Sequence, residues 1–391
     1  MKILTVHNCY KIRGGEDESR EAEDRLLADK GHEIGQYVLQ NSIIHGHNPL
    51  SVGLRATWSG SSYEAVKKRL QLDRPDLVDV HNFFPLLSPS IHYAARSLGI
   101  PVVQTLHNYR LLCPGATFYR DGKVCQECTN HLLPWPSIVH RCYHQSTLHT
   151  AAVAAMISVH RLFRTWQRAV SVFVAVSEFE KREFVKAGFP EAKIVAKPNF
   201  VFDPGCAGPG GSDFLFVGRL SPEKGIRTML TAMENLKAPL RLRIVGEGPM
   251  AEEVRCATAK DPRIEYVGKL SQKQVLELMA QSKFVIFPSE WYETFGRVVA
   301  EAFAYGTPVI TANLGGMSEL VDDGRTGFHF RVGDPADLAR VLEKAFHYTS
   351  GLSQMRYEAR REYEKKYTPE RNYEMIMELY HKAIEENTWR T

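Results

Sequence analysis

Short β-branched runs alternate with longer stretches in which apolar positions recur every three or four residues, and this alternation passes twice along the chain. Such a pattern predicts parallel sheets covered on both faces by crossover helices. The first series predicts strands over Lys2–His7, Ile34–Leu39, Asp76–His81, Pro101–Leu106 and Val172–Val176. A second series starts afresh at Asp213–Val217 and continues through Leu240–Val245, Arg263–Val267, Lys283–Phe287 and Pro308–Thr311. The restart marks a domain boundary. Between the two series lie Lys197-Pro198-Asn199, Pro204-Gly205 and Gly208-Pro209-Gly210-Gly211, too rich in Gly and Pro for a regular element and read here as a hinge. The expected organisation is a Rossmann-like domain over 1–198 carrying an insert at 113–142, and a second over 199–368. Both sheets are expected to face an interdomain cleft. A terminal helix over 369–391, opened by Pro369 behind the cap candidate Thr368, is expected to cross back to the first domain.

Length and composition support two such cores, with 391 residues of which 44% are hydrophobic. Charge is uneven. Residues 1–200 hold 24 cationic against 18 anionic side chains, while residues 201–391 hold 25 against 27. That excess suits an anionic partner such as a lipid phosphate but falls short of the basic stripe of a nucleic-acid binder, so nucleic acid is excluded as partner. The opening Lys2 and short apolar run lack the core and cleavage site of a secretory signal. No apolar stretch reaches bilayer length, since Ala151 to Val159 stops at His160 and Arg161. The expectation is a cytoplasmic protein whose membrane contact, if any, is peripheral, at the inner face.

Open α/β sheets bind ligands in the loops at the carboxyl ends of their strands. After Asp213–Val217 come Gly218, Arg219 and, five residues on, Lys224-Gly225, placing two cations on one loop. The guanidinium fork and the mobile ammonium suit a diphosphate, and Gly225 can open the following helix. The next candidate loop, Pro288 to Arg297, contains Glu293, Thr294, Phe295 and Gly296, and Glu301 follows at Glu-x7-Glu spacing on the helix. One carboxylate can meet a sugar and the other a ribose, while the amides at the helix start suit a phosphate or hydroxyl. Each feature alone also fits an ordinary solvated loop.

Taken together, these segments resemble the family-4 retaining glycosyltransferases of GT-B architecture. The resemblance rests on the Gly-Arg…Lys-Gly loop, Glu-x7-Glu, Gly306-Thr307-Pro308-Val309, Gly315-Gly316 and Glu319, and it extends over essentially the whole chain. It implies that Arg219 and Lys224 bind the donor diphosphate, that Glu293 lies by the donor sugar and that Glu301 binds ribose. Gly14 and Gly15 resemble the family's glycine turn, at which backbone approaches donor phosphate or acceptor. Gly246 resembles its small residue beside the nucleotide, and His107 its active-site histidine near the sugar. Base recognition is implied for backbone at Gly268, Lys269 and Leu270. Catalysis by Glu293, His107, Arg219 and Lys224 then needs no cofactor and no Asp-x-Asp metal site. The implied donor is a nucleotide diphosphate sugar, with a UDP-hexose and specifically UDP-glucose as the leading candidate. The implied acceptor is a glycan or lipid-linked molecule of cell-envelope or exopolysaccharide synthesis. The pattern departs from the commonest form at Glu290-Trp291-Tyr292 and at Asp17, which bears on donor and acceptor identity.

Cys113, Cys125, Cys128 and Cys142, spaced C-x11-C-x2-C-x13-C around a hairpin tip at Asp121-Gly122, fit a structural tetrahedral zinc or, alternatively, reduced cysteines packed in the insert. From Ala152, Met156, Val159, Leu162, Phe163, Trp166 and Val170 recur at helical spacing while Arg161, Arg164 and Arg168 fall mostly elsewhere. That stripe suits core packing or an interfacial helix meeting anionic lipid. Competing readings are a sugar-nucleotide epimerase of the same architecture, which needs an acid/base pair not visible here, and a non-catalytic nucleotide-sugar-binding subunit, which needs neither both glutamates nor both cations.

Overall fold

Most of the strands are runs of four to eight residues, apolar enough for burial on both faces, as strands covered by helices above and below must be. The computed structural model describes residues 1–10, 14–41 and 49–388. The chain divides into two units, one of Met1–Phe118, Cys125–Pro198 and Asn372–Thr391, the other of Tyr119–Val124 and Asn199–Arg371.

In the first unit, β1 (Lys2–Cys9), β2 (Glu33–Gln40), β3 (Leu77–Val80) and β4 (Val102–Leu106) precede a short hairpin of β5 (Tyr119–Arg120) and β6 (Lys123–Val124), which groups with the second unit. Asp121 and Gly122 both take positive φ at the hairpin tip, as a two-residue turn of this hand requires. The sheet is completed by β7 (Val172–Ala175) and β8 (Ile194–Ala196), in the order β2-β1-β3-β4-β7-β8, with every pairing parallel. Three-residue β8 is too short to show a periodicity and was not expected from the pattern.

The last helix, Pro369–Thr388, is capped by the Thr368 hydroxyl, which accepts from the Arg371 amide at 3.3 Å; Trp389, included in the expected helix, lies outside the described residues. From residue 372 this helix belongs to the first unit, where Ile376, Leu379, Tyr380 and Ala383 pack on Ile3, Leu27, Val103 and Val172. Lys197 is 1% exposed and donates to Glu23 at 2.8 Å and to Asn372 at 3.2 Å, so a buried cation ties this helix to the sheet.

One expectation is corrected. The segment from Ala152 to Val170 is not one amphipathic helix: a helix over Thr147–Leu162 ends, Arg164 takes a left-handed φ of 52°, and a short helix Thr165–Ala169 follows. After the break Trp166 and Val170 are buried, as is Met156, while Leu162 and Phe163 are exposed, so the residues do not share a stripe. Among the described residues no helix is long and apolar enough to cross a membrane.

The second unit holds β9 (Phe214–Val217), β10 (Leu242–Val245), β11 (Ile264–Gly268), β12 (Phe284–Phe287), β13 (Val309–Ala312) and β14 (Gly327–Phe330). Its order, β11-β10-β9-β12-β13-β14, is all parallel and corresponds to the 3-2-1-4-5-6 order of dinucleotide-binding folds. Phe214, Phe216, Phe284, Ile286 and Ile310 build its core against Met229, Leu338 and Leu342.

Candidate active site

A 3-2-1-4-5-6 sheet reverses direction between its first and fourth strands, and the crevice at that reversal is where such sheets bind ligands. Here the reversal lies between β9 and β12, and the loops after these strands are the two that carry the predicted cations and carboxylate. They are stitched together. The Glu290 amide donates to the Glu223 carbonyl at 2.8 Å, and the Thr228 hydroxyl donates to the Glu290 carboxylate. Lys224 Nζ donates to Glu293 Oε1 at 2.5 Å, Ser289 Oγ donates to the same oxygen at 2.8 Å, and the ammonium stands 5.3 Å from the Trp291 ring centroid. Glu293 is 6% exposed. A buried carboxylate is tolerable because it is paired and hydrogen-bonded.

Arg219 is the open member, its side chain 60% exposed, with Nη2 donating to Glu223 at 2.5 Å and Nε to Ser221 at 3.2 Å. Burial resists ionisation of Glu223, but the bonds from Ser221 and Arg219 prevail and hold its carboxyl below the usual range. Burial pushes the Glu290 carboxyl upward against the Thr228 bond.

Gly225 opens the helix Ile226–Asn235 at a φ of 70°, and a Cβ there would stand 2.0 Å from the Pro288 carbonyl oxygen. That near-contact is what lets the two loops close on each other. Gly225→Ala is therefore expected to destabilise the unit by at least about 1–3 kcal/mol from the left-handed backbone alone, with a further loss from the clash. Urea denaturation that matches wild type would show that the loops do not need this approach.

The other expected residues of this unit gather beside the same edge, except where noted. Gly246, with a φ of 145°, leaves room for nothing larger, since a Cβ would meet the Gly218 carbonyl oxygen at 1.8 Å. Its amide donates to the Gly268 carbonyl at 2.9 Å, so the loops after β9, β10 and β11 lie side by side. Lys269 is exposed and 3.8 Å from Glu247, and Leu270 is half-buried. Gly296 caps the helix Arg297–Ala304, where Glu301 is buried and receives Arg297 Nε at 3.0 Å, so this glutamate already has a cation. The Phe295 ring is buried edge-to-face against Tyr367, 5.9 Å between centroids, so its side chain packs. Thr294 sits in the loop between Glu293 and this packed pair.

In the first unit, the reversal falls between β1 and β3. Gly14 and Gly15 open the helix Gly15–Asp29, yet neither has positive φ and a Cβ at either meets nothing within 4 Å. Within the chain, the space beside both glycines is therefore open. His107, at the end of β4, lines a cleft with His81, Phe84, Asn108 and Arg110. Burial, then the neighbouring His81, His7 and Lys197 charges, hold its imidazole well below the usual range, so it is neutral near pH 7. Its Nε2 lies 2.9 Å from His81 Nδ1, and His81 Nε2 lies 3.5 Å from Asp79 Oδ2, to which the Tyr380 hydroxyl donates at 2.6 Å. Burial pulls His81 down, but the Asp79 carboxylate, joined by Glu23 and Asp24, wins and raises it. A charged His81 can only donate, which assigns the acceptor role to His107 Nε2.

The sequence reading missed this chain, and it missed Glu16, whose carboxyl burial and the adjacent Asp17 push up to about 8 and which accepts from Asn108 Nδ2 at 3.3 Å. The available signals were acidic residues directly after Gly14-Gly15 and an Asp-x-His pair closing β3.

Two parallel α/β sheets, with a cation-bearing glycine loop and a buried glutamate meeting at the reversal of the second, define a glycosyltransferase of GT-B architecture. Comparison with known proteins carries this to the family. Residues 16–202 match the family model described as Glycosyltransferase Family 4, and residues 208–362 that described as Glycosyl transferases group 1. The chain belongs to the family-4 glycosyltransferases.

Among relatives, glycogen synthase of Mycobacterium tuberculosis is 35% identical over 140 residues, covering 34% of this chain and 33% of that protein. Sulfoquinovosyl transferase SQD2 of Arabidopsis thaliana is 25% identical over 265 residues, covering 65% of this chain and 46% of its own. The matched stretch thus spans a third of the first relative's length and less than half of the second's. A crystal structure of Anabaena HepE in complex with UDP-glucose shares the fold, with a TM-score of 0.70 at 18% identity over 97% of this chain and 98% of that one.

Proposed function

We propose that this glycosyltransferase moves a hexose, with UDP-glucose as the leading donor, to a glycan or lipid-linked acceptor in polysaccharide synthesis, with retention at the anomeric carbon and at the cytoplasmic face of the membrane. The observation that carries the reading is the meeting of Lys224 and Glu293 at the β9/β12 reversal, beside the glycine loops of Gly218 and Gly246. Lys224 and the open Arg219 present positive charge where a diphosphate leaves. Both bonds to Glu293 engage Oε1, leaving Oε2 to accept from a sugar hydroxyl. Glu301 takes the ribose, backbone at Gly268 to Leu270 takes the base, and neutral His107 takes a sugar hydroxyl. The HepE complex, which contains UDP-glucose, supports the choice of donor.

In a retaining transfer the new bond forms on the face the diphosphate vacates. The departing phosphate oxygen then takes the acceptor hydroxyl's proton, the C1–O bond to phosphate breaks and the C1–O bond to acceptor forms. The cations stabilise charge on the leaving oxygens, the largest single contribution in reactions of this kind. Glu293 contributes orientation rather than covalent chemistry.

Glu293→Gln is expected to lower kcat by about 10²-fold while changing UDP affinity little, because the lost interaction strengthens in the transition state. Turnover assays and calorimetry separate the two effects. Wild-type turnover in this variant, or an inverted anomer in the product's NMR spectrum, would overturn the mechanism. A thermal-shift screen of nucleotide sugars, with UDP-glucose raising Tm most, checks the donor.

A further inference from the structure

Between β4 and the helix Thr147–Leu162 the chain runs through forty residues with two two-residue strands and one five-residue helix as its regular structure. Stretches so poor in secondary structure are held by cross-links when they hold a single conformation. This one carries unusual backbone as well. Ala116, Phe118, Asp121, Arg141, His144 and Gln145 take left-handed φ between 50° and 65°, six of nine such non-glycine residues among the described ones, and that conformation persists only where surroundings over-determine it.

Four cysteines converge in this segment. At Gly115, the position a Cβ would take is 3.7 Å from Cys113 Sγ and 3.7 Å from Cys142 Cβ, so these two residues flank one point. Cys128 Sγ donates to the Pro134 carbonyl at 3.8 Å, which also accepts from Ser137 Oγ at 2.6 Å, and the Cys142 amide donates to the Ser137 carbonyl at 3.1 Å, so Cys128 and Cys142 meet at one turn. Cys125 closes the hairpin, its amide donating to the Phe118 carbonyl at 2.7 Å. All seven cysteines are free thiols. No three of the four sulfurs lie within 4.8 Å of one another, so ligation requires them to move inward. Arg161, on the long helix, reaches into the same place. It donates to the carbonyls of His131, at 2.5 Å, and Leu112, at 3.4 Å, the first a residue whose amide donates to the Cys128 carbonyl at 3.4 Å and the second next to Cys113.

We propose that Cys113, Cys125, Cys128 and Cys142 form a structural tetrathiolate zinc site that cross-links the insert, with Arg161 as the cation beside it. Four thiols release their protons to solvent as the ion binds, and the ion removes the mutual repulsion that otherwise disfavours neighbouring thiolates. Four thiolates around Zn²⁺ leave two net negative charges, which Arg161 partly offsets from just outside the ligands. With four protein ligands the coordination sphere is closed, so the ion holds structure and takes no substrate. The proposal is independent of the donor and acceptor named above.

The full chain, purified without chelator, is expected to contain about one zinc per molecule, and a strong chelator is expected to lower its Tm. Cobalt exchanged into the wild-type protein is expected to give the ligand-field and thiolate charge-transfer bands of a tetrahedral cobalt site. This spectrum also covers the case in which the Cys125→Ser/Cys128→Ser variant fails to fold. If that variant folds, it loses both metal and bands. Wild-type protein with no metal, no cobalt bands and four freely alkylated insert thiols would overturn the proposal, as would disulfides among these cysteines under reducing purification.

Discussion

Lys224→Ala is expected to lower kcat/KM by about 10²–10³-fold, the range for removing one fixed charge-stabilising donor from a reaction centre. The ammonium is held on one side by Glu293 and Ser289's shared oxygen and on the other by the faces of Trp291 and Phe287, so its position costs no rearrangement when charge develops on a leaving phosphate. UDP should bind more weakly by about 1–3 kcal/mol, the range for a hydrogen bond to a charged group, as read by calorimetry. Lys224→Arg is expected to recover only part of this, because a planar fork does not fit a pocket that holds a compact point charge. Unchanged affinity together with unchanged turnover in Lys224→Ala would remove this lysine from the donor site.

Asp79→Asn is expected to lower the stability of the first unit by about 3–5 kcal/mol, the range for leaving one member of a buried ion pair without its partner. For a unit of this size that corresponds to a fall in Tm of roughly 10 °C. Asp79 is 2% exposed and His81 4%, so neither can turn to solvent.

The pH dependence follows from the two shifts. Burial opposes ionisation of Asp79, but His81 and the Tyr380 bond prevail and its folded pKa is lowered. Its contribution is present above the unfolded carboxyl value and is lost as pH falls through the folded one. His81 is raised, so its contribution is full below the unfolded imidazole value and is lost as pH rises through the folded one. The pair is therefore intact across the window between those two folded values. In Asp79→Asn the largest raising influence is gone while Glu23 and Asp24 remain, and His81 should titrate at lower pH. Imidazole nitrogen shifts followed by NMR report this directly, and a His81 titration unmoved by the substitution would show that Asp79 is not its counter-charge.

The alternation of buried β-branched runs with helical stretches is a local property, and it was enough to read two parallel α/β sheets from the sequence, while the GT-B architecture came from the family resemblance of the loops. The Gly-Arg…Lys-Gly loop and Glu-x7-Glu were legible for the same reason, since each lies within one strand-loop-helix unit. The contact between Lys224 and Glu293 spans 69 residues, and only the order β9-β12 within the sheet decides that their loops are neighbours. Tyr380 and Asp79 are 301 residues apart and meet because the last helix packs on the first sheet, which no local pattern encodes. Conversely, the helical spacing from Met156 to Val170 in the sequence was overridden by tertiary packing: the helix ends at Leu162 and Trp166 is buried from the short helix that follows. Short-range patterning determined the elements and the kind of loop that ends them. Which loops share a crevice, and which buried charges face each other, was decided by strand order and by the helices laid against it.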